Sequence, residues 1–223
     1  MTGVRIGLLA GVFALATAVL AAAAAACPKG YSYAGLYSDS KASGIAATIT
    51  MLDEPAVAGS SSHVAGWVGV GGPGLGPNGE DEWLQVGLAT FGDSRDGRLY
   101  YELTRPGLPP RYTELASGIR PGQKLRVAVL ELPFARDSWL VISPAGIAGP
   151  FHLPRSHRAW RPIATAESYA ETTRCNRYAY RFGGLALARA DGSWHTMRHA
   201  STLQDRGWRL RRHGTSAFSA TAA

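Results

Sequence analysis

The stretch Glu82-Trp-Leu-Gln-Val-Gly-Leu-Ala-Thr90 is followed by the polar turn Gly92-Asp-Ser-Arg-Asp-Gly97 and then by Arg98-Leu-Tyr-Tyr-Glu-Leu-Thr104. Two strand-forming runs joined by a few polar and glycine residues read as a β-hairpin. Side chains alternate along a strand, so Leu84, Val86 and Leu88 share one face of the first run, and Trp83, Gln85, Gly87 and Ala89 share the other. The aliphatic face belongs in a core. The opposite face sets Trp83 and Gln85 beside small residues, as the floor of a groove would.

Outward from this hairpin the same grammar repeats. Gly44–Leu52 and Ser62–Val70 read as strands, and the Gly/Pro/Asn-rich segment 71–79 between them and the hairpin reads as a loop. The turn Arg120-Pro-Gly-Gln123 leads into Lys124–Leu130, whose strict alternation marks a half-buried strand. Ser138–Ile142 pairs naturally with Ile147–Leu153 across Pro144-Ala-Gly146, and Trp160–Tyr169, Tyr178–Ala188, Trp194–Met197 and Thr215–Ala220 follow. Short strands at this density predict an all-β fold of two antiparallel sheets, a sandwich or jelly roll, with helix limited to a turn or two.

The ends of the chain speak to its address. Arg5 precedes the apolar run Ile6–Leu20, and alanines fill positions 21–26, the order of a secretory leader with small-residue cleavage options. Residues 1–26 are therefore read as a signal peptide and residues 27–223 as a single domain working outside the cytoplasm. The mature form is expected to be a monomer without a membrane span. A retained anchor or a lipidated Cys27 are the alternatives. The chain has two cysteines, Cys27 and Cys175. In an oxidising compartment they are expected to pair as a disulfide, the alternative being two unpaired thiols.

The 223 residues carry a formal net charge of +7, with basic clusters at Arg155, Arg158 and Arg161 and at Arg206, Arg209, Arg211, Arg212 and His213. Export excludes nucleic acid as the expected partner and leaves an anionic envelope polymer, or a solvated basic surface. No Cys/His spacing suits a metal, no phosphate loop or dinucleotide fingerprint is present, and no serine sits in a nucleophile elbow; no metal or cofactor is expected. The six histidines are scattered and read as surface or structural residues.

In Ile163-Ala-Thr-Ala-Glu-Ser-Tyr169, Glu167 shares a face with Thr165 and Tyr169. Trp67-Val-Gly-Val70, a glycine loop, Trp83-Leu-Gln85-Val-Gly87, Leu99-Tyr-Tyr101 running to Pro106 and the later Gly-Gln-Lys-Leu-Arg-Val strand together resemble the glutamic peptidases, or eqolisins. That resemblance, running from Gly44 to the C-terminus, implies a concanavalin A-like β-sandwich with a catalytic Gln–Glu dyad on its concave sheet. It implies Gln85 as the dyad glutamine and Glu167 as the glutamate, with Glu171 close by. Glu167 would then be general base and acid, and Gln85 would stabilise the oxyanion. Trp67, Trp83, Tyr101 and Tyr169 would line the cleft and bind an extended peptide or protein. The chain departs from the family pattern at Gly71, where an acid is usual, at Ala89, where a polar or acidic residue is often found, and at Ala164, where tryptophan is usual.

Two further readings compete. A non-catalytic module could present Trp83, Tyr100 and Tyr101 to a glycan or envelope polymer. A sandwich glycoside hydrolase would need two facing carboxylates, and no E-x-D-x-x-E strand signature is found.

Overall fold

The computed structural model describes residues 29–92 and 94–222. Two antiparallel sheets stack face to face, with strands numbered in chain order. The seven-stranded sheet runs β13 (Ala200–Gln204), β1 (Gly30–Ser38), β10 (Ile163–Ala170), β3 (His63–Gly72), β4 (Glu82–Phe91), β5 (Gly97–Thr104) and β6 (Arg111–Ile119). The eight-stranded sheet runs β14 (Trp208–Arg212), β15 (Phe218–Ala222), β11 (Ala179–Ala188), β2 (Gly44–Met51), β7 (Lys124–Glu131), β8 (Ser138–Ser143) and β9 (Gly146–His152), while β12 (Trp194–Thr196) pairs with β11. The one helical element among the described residues is a 3-10 turn at Pro77–Gly79, inside the expected loop.

The core follows the alternation read from the hairpin. Leu84, Val86 and Leu88 of β4 are buried with Val64, Val68 and Val70 of β3. Ile45 and Ile49 of β2, Val127 and Val129 of β7, and Tyr180 and Phe182 of β11 meet them from the opposing sheet. Burial of such side chains is the main favourable term in folding, about 1.5–3 kcal/mol for each large one.

Four strands escape the sequence pattern: β1, β6, β13 and β14. The expected strand at Trp160–Tyr169 starts only at Ile163, because Arg161-Pro162 interrupts the ladder. The basic C-terminal segment is not a tail. Arg209, Arg211 and Arg212 lie on β14, which pairs with β15 and seats Trp208, 6% exposed, 4.4 Å from the Tyr178 ring.

At one end of the sandwich, under the 72–81 loop, Glu82 has no exposed surface, and neither of its carboxyl oxygens finds a hydrogen-bond partner. Burial, aided by the charges of Asp137 and Glu80, pushes its carboxyl up to about 7. The expected leader over residues 1–26 and the Cys27 half of the expected Cys27–Cys175 bridge lie outside the described residues; Cys175 sits in the connection between β10 and β11. No helix among the described residues is long and apolar enough to cross a membrane.

Candidate active site on the seven-stranded sheet

The outward face of the seven-stranded sheet is built in rows, because residues opposite one another in an antiparallel ladder point the same way. One row reads Tyr31, Tyr169, His63 and Phe91 across β1, β10, β3 and β4. The next reads Tyr33, Glu167, Ala65, Ala89 and Arg98, extending to β5. A third reads Gly35, Thr165, Trp67, Gly87 and Tyr100, and a fourth places Gly69, Gln85, Glu102 and Tyr112 side by side.

Gln85 and Glu167 thus emerge on the same face of one sheet, and each is 7% exposed. Their strands are separated by β3, so the backbones stand about 9–10 Å apart across the sheet and about 13 Å apart along it, four residues of β3 from Gly69 to Ala65. The intervening row links them. Trp67 Nε1 donates to Glu167 Oε2 at 2.8 Å, and Gln85 Nε2 donates to the Tyr100 hydroxyl at 3.1 Å. The negative charge of Glu167 acts on that same hydroxyl, which burial first and the Glu167 and Glu102 charges next keep protonated.

Between Trp67 and Tyr100 lies Gly87. A Cβ there would come within 2.6 Å of the Trp67 Cα and Cβ, so only glycine lets β4 approach β3 this closely at that row. Gly87 thus places no side chain between Trp67 and Tyr100, and its row is flanked by the row of Glu167 on one side and that of Gln85 on the other. Ala65 and Ala89 add a shallow floor in the row of Glu167.

Aromatic rings fence this floor. Tyr33, Tyr31, Tyr169, His63, Phe91, Tyr112 and Tyr100 follow one another with neighbouring centroids 4.9 to 6.2 Å apart. His63 closes the fence on Glu167: its Nε2 stands 3.0 Å from Oε1. Trp83 donates its indole N–H to Glu102 at 2.9 Å. The Glu102 carboxyl is raised by burial and by the Glu167 charge, against the lowering effects of the Trp83 hydrogen bond and of His63. Burial raises Tyr31 and Tyr33, and pushes Tyr112 up to about 12, so these phenols remain proton donors at neutral pH.

Of the residues read from sequence, Gln85, Glu167, Trp67, Trp83 and Tyr169 all lie on this face. Tyr101 does not. It points between the sheets, packs against the core and meets Phe151 of β9 at 5.2 Å, because the parity that brings Tyr100 outward sends its neighbour inward. Tyr100 replaces it. His63 and Glu102 were not singled out, although His63 shares the parity of Trp67 on β3 and Glu102 that of Tyr100 on β5. Glu171 follows β10 rather than lying on it.

A second carboxylate–imidazole contact, Glu131 with His157 at 2.8 Å, has a different character. Glu131 also accepts from Ser43 Oγ and from the Asp137 amide, so it is saturated by groups that tie β7 to neighbouring loops. A concavity of about 530 Å³ lies away from Gln85 and Glu167, among Glu54, Val57, Arg95 and Arg177, and presents no comparable array. No group of three or more His, Cys, Asp or Glu among the described residues is arranged to hold a metal ion.

No protein-family model matches the chain, and no curated protein matches it. Among solved structures, it resembles SCP-B, a member of the eqolisin family of peptidases solved with the tripeptide Ala-Ile-His, at 17% identity and a TM-score of 0.52, over 87% of this chain and 98% of that one. It also resembles an alginate lyase from Pseudomonas aeruginosa, at 18% identity and a TM-score of 0.45, over 67% of this chain and 65% of that one. A carbohydrate-binding module from Bacillus subtilis follows at 10% identity and a TM-score of 0.29, over 65% of this chain and 81% of that one. At 17% identity the likeness to SCP-B is one of fold alone, a β-sandwich.

Proposed function

We propose that this chain is a peptide-bond hydrolase that uses Glu167 and Gln85 on an activated water, and that it is exported by the leader read at residues 1–26. The observation that carries the reading is the joint hold of both groups on the row containing Gly87: Glu167 through Trp67, Gln85 through Tyr100. The fold shared with an eqolisin peptidase supports it.

A substrate carbonyl seated above Gly87 would face the Gln85 amide, with a water on the Glu167 side. Glu167 takes a proton as the water oxygen bonds to the carbonyl carbon. An N–H of Gln85 stabilises the developing oxyanion, a contact typically worth about 3–4 kcal/mol. When the C–N bond breaks, the proton passes to the leaving nitrogen. Rings of the aromatic fence would hold the peptide on either side.

The test is cleavage of a peptide library followed from about pH 3 to pH 8, with Gln85→Ala and Glu167→Gln as variants. Each is expected to lose about 100-fold or more in kcat; wild-type turnover retained in both defeats the reading. The exposed Tyr31, 59% accessible and stacked on Tyr33 and Tyr169, favours a second reading as a glycan platform. Retention on isolated cell wall that is lost in Tyr31→Ala and Trp83→Ala, with no peptide cleaved, would select it.

A further inference from the structure

The outward face of the eight-stranded sheet is the side of the sandwich opposite Gln85 and Glu167. Tyr180 and Phe182 of β11, Phe218 of β15, Ile49 of β2 and Val127 of β7 fill the core, so the residues alternating with them point away from it. Strand pairing then sets Arg211 of β14, Ser219 of β15, Arg181 of β11, Thr50 of β2 and Lys124 of β7 in one row across five strands. Arg211, Arg181 and Lys124 are exposed, and no side chain longer than threonine separates them. The flanking rows continue the pattern. Arg209 stands opposite Thr221 on one side, and Arg126 stands opposite Thr48 on the other. Arg126 is held in place by donating to the Gly184 carbonyl at 2.7 Å.

This charge is uncompensated within the chain. β14, β15, β11 and β2 contain no Asp or Glu, and the single one of β7, Glu131, is 3% exposed and turned inward. On the other side of the molecule arginines are matched: Arg95 stands 3.7 Å from Glu54, and Arg98 stands 3.8 Å from Glu114. Arg181, Arg209, Arg211 and Lys124 pair with no carboxylate among the described residues. Cations aligned without counter-charges create a positive potential that selects an anionic partner.

We propose that this face is a docking surface for an extended anionic polysaccharide, laid across the strands along the row of Arg211, Arg181 and Lys124. Strands about 4.7–4.9 Å apart place successive cations of the row about 9.4–9.8 Å apart at their backbones. That spacing is close to the disaccharide repeat of an extended sugar chain, so a polymer with an acidic group in each repeat meets one cation after another. An extended acidic peptide is out of step, because its like-facing side chains recur about every 6.6–6.8 Å. A lipid surface calls for apolar side chains that enter it beside the cations. Those of this face, Ile142 of β8 and Ile147 of β9, stand beyond Lys124 at the far edge of the sheet, away from the arginines. The proposal is independent of the hydrolase reading, and a chain held in this way keeps its seven-stranded sheet open.

The test is binding of the full chain to immobilised polygalacturonate at neutral pH, followed by biolayer interferometry over a range of salt concentrations. Affinity is expected to fall about 5-fold in each of Arg181→Ser, Arg211→Ser and Lys124→Ser, and about 100-fold when the three are combined. The slope of log affinity against log salt should lose about one unit for each cation removed. Combining Arg111→Ser, Arg136→Ser and Arg174→Ser, which removes the same charge from exposed positions off the row, should change affinity by less than about twofold. Arg181→Lys with Arg211→Lys should retain binding, which separates lost charge from lost fold. Equal losses in the two triple variants, or no binding by the wild-type chain, overturn the proposal. So does equal affinity for methyl-esterified polygalacturonate, which carries no charge, or binding confined to phosphatidylglycerol vesicles.

Discussion

At Glu167 a carboxylate that alternation alone would leave in solvent is enclosed by an indole, an imidazole and a ring of phenols. Removing the indole N–H while keeping an aromatic shape, in Trp67→Phe, is expected to lower kcat/KM about 10-fold, the value of one hydrogen bond to a charged group; steady-state kinetics on a cleaved peptide checks it. Tyr100→Phe, which removes the acceptor for the Gln85 amide, is expected to lose a similar factor, whereas Tyr101→Phe should stay within about twofold. The contrast separates the two adjacent tyrosines by the face they occupy. Gln85 and Glu167 were legible in the sequence because parity along one strand is a local property. His63 was not, because its meaning comes from a residue on another strand, 104 positions away. Tyr101, which the resemblance placed in the cleft, faces the core instead, because one residue along a strand is a change of sheet face.

Among the elements, those with a clean aliphatic face were legible and those without one were not. β2, β3, β4 and β7 each present such a face to the core. β6, with the sequence Arg-Tyr-Thr-Glu-Leu-Ala-Ser-Gly-Ile, has no residue fully buried and shows no such face. β14 is hidden for another reason: arginines dominate Trp208-Arg-Leu-Arg-Arg212, and its anchor is a single tryptophan. Trp208→Ala is therefore expected to destabilise the domain by about 3–5 kcal/mol in denaturant unfolding. Arg209→Ala and Arg211→Ala, on the exposed side of the same strand, should change it by less than about 0.5 kcal/mol.

For the molecule as a whole, stability is expected to lean toward acid. Glu82 is buried without partners and titrates near 7 in the folded protein, against about 4.5 for the free group. Both states are protonated at low pH, where burial carries no charge penalty. As pH rises past about 4.5 the unfolded chain releases its proton and the folded chain does not, so stability falls from there until about pH 7 and then levels. Glu82→Gln should remove this slope, raising Tm at pH 8 relative to wild type and leaving it nearly unchanged at pH 4, as differential scanning calorimetry would show. A wild-type Tm that climbs between pH 4 and 8, with Glu82→Gln following the same curve, would refute the assignment.

The strand between the two catalytic candidates carries neither of them, yet it is the ruler against which both are set. Because β3 pairs with β4 on one side and β10 on the other, the spacing of glutamine and glutamate is counted in whole peptide units. A slip of one unit at either seam would turn one partner toward the core, and a slip of two would displace it by about 6.6–6.8 Å. Fine adjustment of this site is thus closed to the backbone and left to rotamers and to the rings that press on them.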